Sequence, residues 1–325
     1  MKRRAGLTVF GGAVSLTLAA LIPPSISVSA FGQAYPTRPI NLIVPFPPGG
    51  NTDIMARALQ NELAKALGQT IVVVNKGGAA GTLGLIDLSR AAPDGYTIAL
   101  APNNPLTAQP HVQKLPYGMD SFRYGCLSYF APYVLIAGPQ APFKTFQEFV
   151  GFAKAKPENL VYGHAGLASQ PHLGMLAVLR AIDATGLGVP FTGAGPMAQA
   201  LLSGTVMAIT ETPAVAAASN LPLLAALSET RIPALPDVPT MRELGYPAVS
   251  FTAGGLLTPS GTPPALLAIL EKACAEATAR PEYKAIAGRL NVEARYLASD
   301  AFRKLFEADS VENAETIRSA GLAGR

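Results

Sequence analysis

The chain reads as an α/β protein, a mostly parallel sheet with helices on both faces, built in two lobes. Short apolar runs alternate with helical patterns along the sequence, the order that produces parallel strands joined by crossover helices. Proline- and glycine-rich loops follow the carboxyl ends of those runs, as turns between such elements do. Once a leader is set aside about 290 residues remain, more than one ordinary domain holds and enough for two.

The leader comes first. Lys2-Arg3-Arg4 precedes the uncharged apolar run Gly6–Ile22, and small residues at Val28 and Ala30 satisfy a signal-peptidase site. Residues 1–30 are therefore expected to be a cleaved signal peptide, and the mature chain to be exported to the periplasm. An uncleaved membrane anchor fits less well, because the run is broken at Gly11-Gly12 and stopped by Pro23-Pro24. Without the three leader cations, the 25 basic residues of the 325 become 22 against 21 acidic ones, a net charge of +1. That balance argues against a nucleic-acid partner.

In the first unit, Ile40–Val44 reads as a strand, Thr52–Leu67 as a helix capped by Gly68, and Ile71–Val74 as a strand. Gly84–Ala91 is helical and Tyr96–Ala101 is the next strand. The loops Phe46–Asn51, Lys76–Gly81 and Pro102–Asn104 all follow strands, so they gather at one sheet edge, where ligands of α/β sheets bind. The second unit repeats the rhythm: strand Tyr133–Ala137, helix Thr145–Lys154, strand Leu160–Tyr162 and loop Gly163–Gln170. Ser169 is placed to cap, and Pro171 to open, the helix that continues through His172–Ile182. Val189–Phe191, the loop Thr192–Gly195 and helix Pro196–Leu202 follow, then strands Val206–Thr210 and Leu223–Leu227. The proline-rich stretch Ile232–Pro239 leads to Gly254–Leu257, a helix from Pro263 to Ala279 and a last helix Asp300–Ser319.

The loop Phe46-Pro-Pro-Gly-Gly-Asn-Thr-Asp53 carries the most chemistry. Gly49 and Gly50 allow close backbone approach, Asn51 and Thr52 offer side-chain donors, and the helix behind them presents unpaired amides and a positive dipole end. The segment is half of an anion site, or else an ordinary capped strand-to-helix turn. Asp53 would repel a carboxylate, so it is assigned to ordering the loop.

Cys126 and Cys274 show no spacing signal, and two buried thiols are favoured over a disulfide, whose geometry is restrictive. No CxxC or HExxH occurs and the histidines are His111, His164 and His172, so neither a metal nor a cofactor is expected.

Several motifs then carry a family resemblance. They are Tyr35-Pro-Thr-Arg-Pro-Ile40, Val44-Pro-Phe-Pro-Pro-Gly-Gly-Asn-Thr-Asp53, Ala91-Ala-Pro-Asp-Gly-Tyr-Thr97, Lys114-Leu-Pro-Tyr117, Pro132-Tyr-Val-Leu135, Gly193-Ala-Gly-Pro-Met-Ala198 and Leu235-Pro-Asp-Val-Pro-Thr240. In this order they resemble the Bug family, periplasmic solute-binding proteins of tripartite tricarboxylate transporters. The resemblance implies a type II periplasmic binding fold, two α/β lobes joined by a hinge with a ligand cleft between them. Residues 35–126 and 251–325 would form the first lobe and 127–250 the second. It implies a monomer that captures a small carboxylate, is not inserted in the membrane, and delivers its ligand to a two-component permease. A sensor kinase is the alternative partner. An exported hydrolase using Ser169 or His172 is the rival from another class, and it lacks a G-x-S-x-G elbow.

Carried onto this chain, the first-lobe site is Phe46, Pro48, Gly49, Gly50, Asn51 and Thr52, with Gly78, Ala79 and Asn103 beside it. The second-lobe site is Ala165, Gly166, Ser169 and His172, then Thr192, Gly193 and Glu211. His172, at a helix N-terminus, is expected to be neutral; it either donates to ligand or ties the loop. Two departures from the family pattern concern selectivity. Thr210-Glu211 stands where relatives often carry Asp-Asn, and Phe191-Thr192-Gly193 where they often carry Tyr-Lys-Gly. Both point away from a tricarboxylate and toward a monocarboxylate, aromatic or amine-bearing, unless Glu211 simply faces solvent.

Overall fold

The computed structural model describes Gly6 and residues 35–217 and 220–324; the expected signal peptide lies outside the described residues, apart from Gly6. The chain runs β1 (Ile40–Val44), α1 (Asn51–Leu67), β2 (Ile71–Asn75), α2 (Thr82–Ser89), β3 (Thr97–Pro102), α3 (Asn104–Thr107) and α4 (Gln109–Val112). Next come β4 (Phe122–Ala137), α5 (Phe146–Ala155), β5 (Val161–His164), α6 (Gln170–Ala181), β6 (Leu187–Pro190), α7 (Ala194–Leu202), β7 (Ala208–Glu211), α8 (Pro213–Ala217) and β8 (Leu223–Leu227). β9 (Phe251–Pro259), α9 (Pro264–Ala279), α10 (Pro281–Arg289), β10 (Leu297–Ala298) and α11 (Ser299–Ser319) complete it.

The sheet order is β2-β1-β3-β9-β4-β7-β5-β6, with β8 and β10 also on β4. At one end β1 is parallel to β2 and β3; at the other β5 is parallel to β6 and β7. Antiparallel β9 and β4 join the two groups. β4 is sixteen residues long and belongs to both. Its first part, through Pro132, pairs with β9, and its second, from Tyr133, with β7 and β8.

Each group has its own apolar core. In the first, α1 buries Met55, Leu59 and Leu63 against Leu42, Val44 and the α9 residues Leu270 and Cys274. These α1 positions are spaced i, i+4, i+8, one helix face, and Gly68 ends the helix in the left-handed conformation at φ 64°. In the second, α5 and α6 pack Phe149, Met175 and Val178 onto Leu135 and Leu227. Thr145 and Glu148 cap α5 reciprocally, at 3.2 Å and 3.0 Å.

Three differences from the sequence reading stand out. β4 begins eleven residues before Tyr133; its first half is buried on both faces and kinked by two register shifts, so it shows no period-two alternation. Helix α10, opened by Pro281, was not anticipated. The third concerns Cys126 and Cys274, which form a disulfide with Cα atoms 6.4 Å apart, tying β4 to α9. The expectation of two thiols is thereby overturned: packing brings together positions 148 residues apart, which no local pattern could signal. Purified mature protein is expected to label with iodoacetamide only after reduction and unfolding. Replacing both cysteines by alanine should lower unfolding free energy by about 2–5 kcal/mol in denaturant titrations.

Candidate functional site

The strand register brings the two sets of loops toward one place. β3 ends at Pro102, which pairs with Gly254, and Gly254 in turn pairs with Tyr129 of β4. β7 ends at Glu211, paired with Val134 of the same strand. The carboxyl ends of both parallel groups thus converge on the middle of β4. Five residues of extended chain, about 17 Å, separate these two register points.

On the first rim, Asp53 shapes the loop. Its carboxylate accepts from the Gly49 amide (2.9 Å), Asn75 Nδ2 (2.8 Å) and Arg57 Nε (3.0 Å). Burial alone would raise its pKa, but the hydrogen bonds from Arg57, Gly49 and Asn75 outweigh it and hold the carboxyl below its ordinary value. Asn75 also donates to the Phe46 carbonyl. Gly49 sits at φ 89°, a left-handed conformation that suits glycine, whereas Gly50 is extended (φ −79°, ψ 167°) and has open space where a Cβ would stand. Gly50 is the N-cap without a side-chain cap, so the amides of the first turn, Asn51 and Thr52 among them, lack intrahelical partners. Thr52 Oγ1 lies 3.3 Å from Tyr129 Oη, linking this rim to the middle of β4. Phe46 is half-buried, and Pro48, Gly78 and Ala79 are exposed in neighbouring turns.

On the second rim the loop is tied by its own side chains. Ser169 caps α6, its Oγ accepting from the His172 amide at 3.4 Å. His172 Nδ1 accepts from the Ala168 amide (3.1 Å), which leaves Nε2 as the donor toward Tyr162 Oη (3.4 Å). Its ring stacks on His164, centroids 3.9 Å apart. Burial, then the neighbouring His164, pushes His172 down to about 3, so it is neutral. Of its two expected roles, tying the loop is the one its ring nitrogens perform. Ala165 and Gly166 remain partly exposed on the loop. The Ala168 carbonyl accepts from Asn104 Nδ2 at 2.9 Å, a direct bond between the two rims.

Two of the expected site residues, Asn103 and Glu211, lie deep. Asn103 is fully buried; Nδ2 donates to Phe251 O (3.2 Å) and Asp309 Oδ2 (2.8 Å), and Oδ1 accepts from the Ala253 amide (3.3 Å). Expected at the ligand, it instead braces β3, β9 and α11. Its neighbour Asn104, passed over in the sequence, reaches the second rim. Glu211 is also buried rather than solvent-facing, with Oε1 accepting from the Thr212 amide at 2.8 Å. Burial pushes its carboxyl up to about 7, against the lowering effect of hydrogen bonds from the Thr212 amide and side chain. Thr192 is exposed and Gly193 half-buried at the start of α7. A surface groove beside His111, Met119 and Val311 is lined by none of these residues. Among the described residues no group of three or more His, Cys, Asp or Glu side chains is placed to hold a metal.

This architecture, two α/β cores with loops facing each other across shared strands, is that of a solute-binding protein. Residues 55–322 match the model of the tripartite tricarboxylate transporter family receptor, and the chain belongs to that family. BugT of Bordetella pertussis is 36% identical over 263 residues, 78% of this chain and 80% of BugT. The structure of MatC from Rhodopseudomonas palustris with bound malate superposes with a TM-score of 0.76 at 31% identity, covering 87% of this chain and all of MatC. The periplasmic binding protein BugD does so at 0.77 and 31%, covering 89% and 99%.

Because the folded-state pKa of Glu211 is raised from 4.5 to about 7, folding takes up a proton between those values. Its contribution to stability is full below pH 4.5 and is lost as pH rises through 7. Glu211→Gln should therefore stabilise unliganded protein at pH 8 by up to about 3 kcal/mol, and by much less at pH 5. Urea titrations at the two pH values check this.

Proposed function

We propose that the mature protein captures a small carboxylate between the Phe46–Thr52 and Gly163–Gln170 loops and closes its lobes on it. It then presents the ligand to the two-component permease of a tripartite transporter. The observation that carries this is the convergence of both rims on the middle of β4, with the unpaired first-turn amides of a 17-residue helix on one side. Such amides favour an anion. The presence of malate in MatC, a family relative, supports a carboxylate as that anion.

In this reading Gly49, Gly50, Asn51 and Thr52 hold the ligand from the first lobe, residues 35–126 and 251–325. Ala165 and Gly166 hold it from the second, residues 127–250. Ser169 and His172 act through the loop they build, and β4 and β9 supply the hinge. Contact with both lobes is required, because only a ligand that binds the closed form better than the open one can close it. The protein acts in the periplasm as a monomer, after loss of residues 1–30. BugD is a periplasmic binding protein, and among the described residues no helix is long and apolar enough to cross a membrane. Hydrolysis is disfavoured by the site itself. Ser169 Oγ meets the His172 main chain, and the His172 ring is engaged elsewhere, so the pair lacks the nucleophile–base contact that acyl transfer needs.

A thermal-shift panel of carboxylates tests this reading. A ligand at one hundred times its dissociation constant should add about 2.7 kcal/mol of stability. Gly50→Val, whose extended backbone and open surroundings accept a side chain, should keep the unliganded melting temperature and abolish the shift. A shift that survives Gly50→Val would place the anion elsewhere.

A further inference from the structure

We infer that Asn104 and Gln109 are positioning residues: from the first lobe they hold the Ala168 carbonyl and so fix the shape of the second lobe's ligand loop. This deepens the two-lobe carboxylate reading above and rests on it.

Three observations carry the inference. The first is the state of Ala168, which is fully buried and left-handed, at φ 51°. Alanine keeps that conformation only where its surroundings impose it, and here both lobes supply them. Within the second lobe, the Ala168 amide donates to His172 Nδ1 at 3.1 Å. From the first lobe, Asn104 Nδ2 (2.9 Å) and Gln109 Nε2 (3.4 Å) both donate to the Ala168 carbonyl. The two amide side chains are buried and hold each other, Gln109 Nε2 also donating to Asn104 Oδ1 at 3.3 Å.

The second observation is an apolar seam around this bond. Ala168 and Leu173 of α6 pack with Ala108 and Val112 at α4 and with Ile317 and Leu322 at the end of α11. Asn313 of α11 in turn donates to Thr107 Oγ1 of α3 at 3.1 Å, which holds the first-lobe side of the seam together. The third is the ion pair between Arg180, near the far end of α6, and Glu312 of α11. The helix behind the ligand loop is thus gripped by the first lobe along its length.

Loss of the Asn104 bond would leave a buried carbonyl short of its shortest donor, which is costly. The strained backbone at Ala168 would then relax and carry Ala165 and Gly166, two and three residues ahead, out of the shape that meets a ligand. Apparent affinity falls in proportion to the time the loop spends in that shape, so a loop competent about a tenth of the time binds about tenfold more weakly.

Asn104→Leu removes the donor and puts an apolar side chain of similar shape in its place. In unliganded mature protein, nitrogen NMR of the His172 ring reads the loop directly. Wild type should show the single Nε2–H tautomer, and Asn104→Leu a mixture of both, because Nδ1 no longer receives the Ala168 amide. Calorimetry with malate and adipate as probes, at a temperature where circular dichroism shows full folding, should give at least about tenfold weaker binding. Phe149→Leu, in the second core away from the seam, lowers stability and should change neither the tautomer nor the affinity. An unchanged His172 tautomer in Asn104→Leu, or wild-type affinity in the folded variant, would overturn the inference. So would an equal loss of affinity in Phe149→Leu, which would make the effect one of stability. If no acid of the thermal-shift panel binds wild type, the carboxylate reading falls, and the His172 spectrum still decides whether Asn104 sets the loop.

Discussion

The hydrogen-bond ladder along β4 holds the molecule together, because that single strand pairs with β9, β7, β8 and β10. Pairing register is fixed wherever side chains are buried, and almost every β4 residue is buried. Tyr129 is therefore placed opposite Gly254, and Val134 opposite Glu211. Those two pairings set where β3 and β7 end against β9 and β4, and with them where their loops begin. Gly254 shows how tight the arrangement is: a Cβ there would come within 2.4 Å of the Tyr129 ring. The Cys126–Cys274 bond anchors the same strand to α9, so the spine is fixed in the first core while its far half lies in the second.

The rims divide their labour between side chain and backbone. Asp53, Asn75 and Arg57 are occupied with one another and with loop backbone, as are Ser169 and His172 on the other side. Saturated side chains of this kind hold main-chain amides in place without competing for a ligand. Preorganised donors of that sort lose little entropy when an anion arrives.

Local signals in the sequence were legible to the extent that the physics was local. The αL glycine after α1, the Ser169 cap with Pro171 behind it, and the strand-loop-helix order of both units depend on neighbours within a few residues. The strand-to-helix turn at Phe46–Asp53 is legible for the same reason. What escaped depends on distant partners. The first half of β4 is buried on both faces and so lacks a period. The disulfide joins positions far apart, and nothing nearby marks it. Asn103 and Asn104 are adjacent asparagines, and only the position of β9 and α11 decides that the first braces the interior and the second reaches Ala168. The neutrality of His172 was legible, but its cause, burial against His164, was not.

The central claim is that one small anion is held by both rims at once, over the middle of β4. A crystal structure of the mature protein with a ligand identified by binding measurement tests it most directly. The account predicts a carboxylate within hydrogen-bond distance of the first-turn amides of α1 and, directly or through water, of the Gly163–Gln170 loop. Ligand seated on one lobe alone, or outside the span between Tyr129 and Val134, would contradict it.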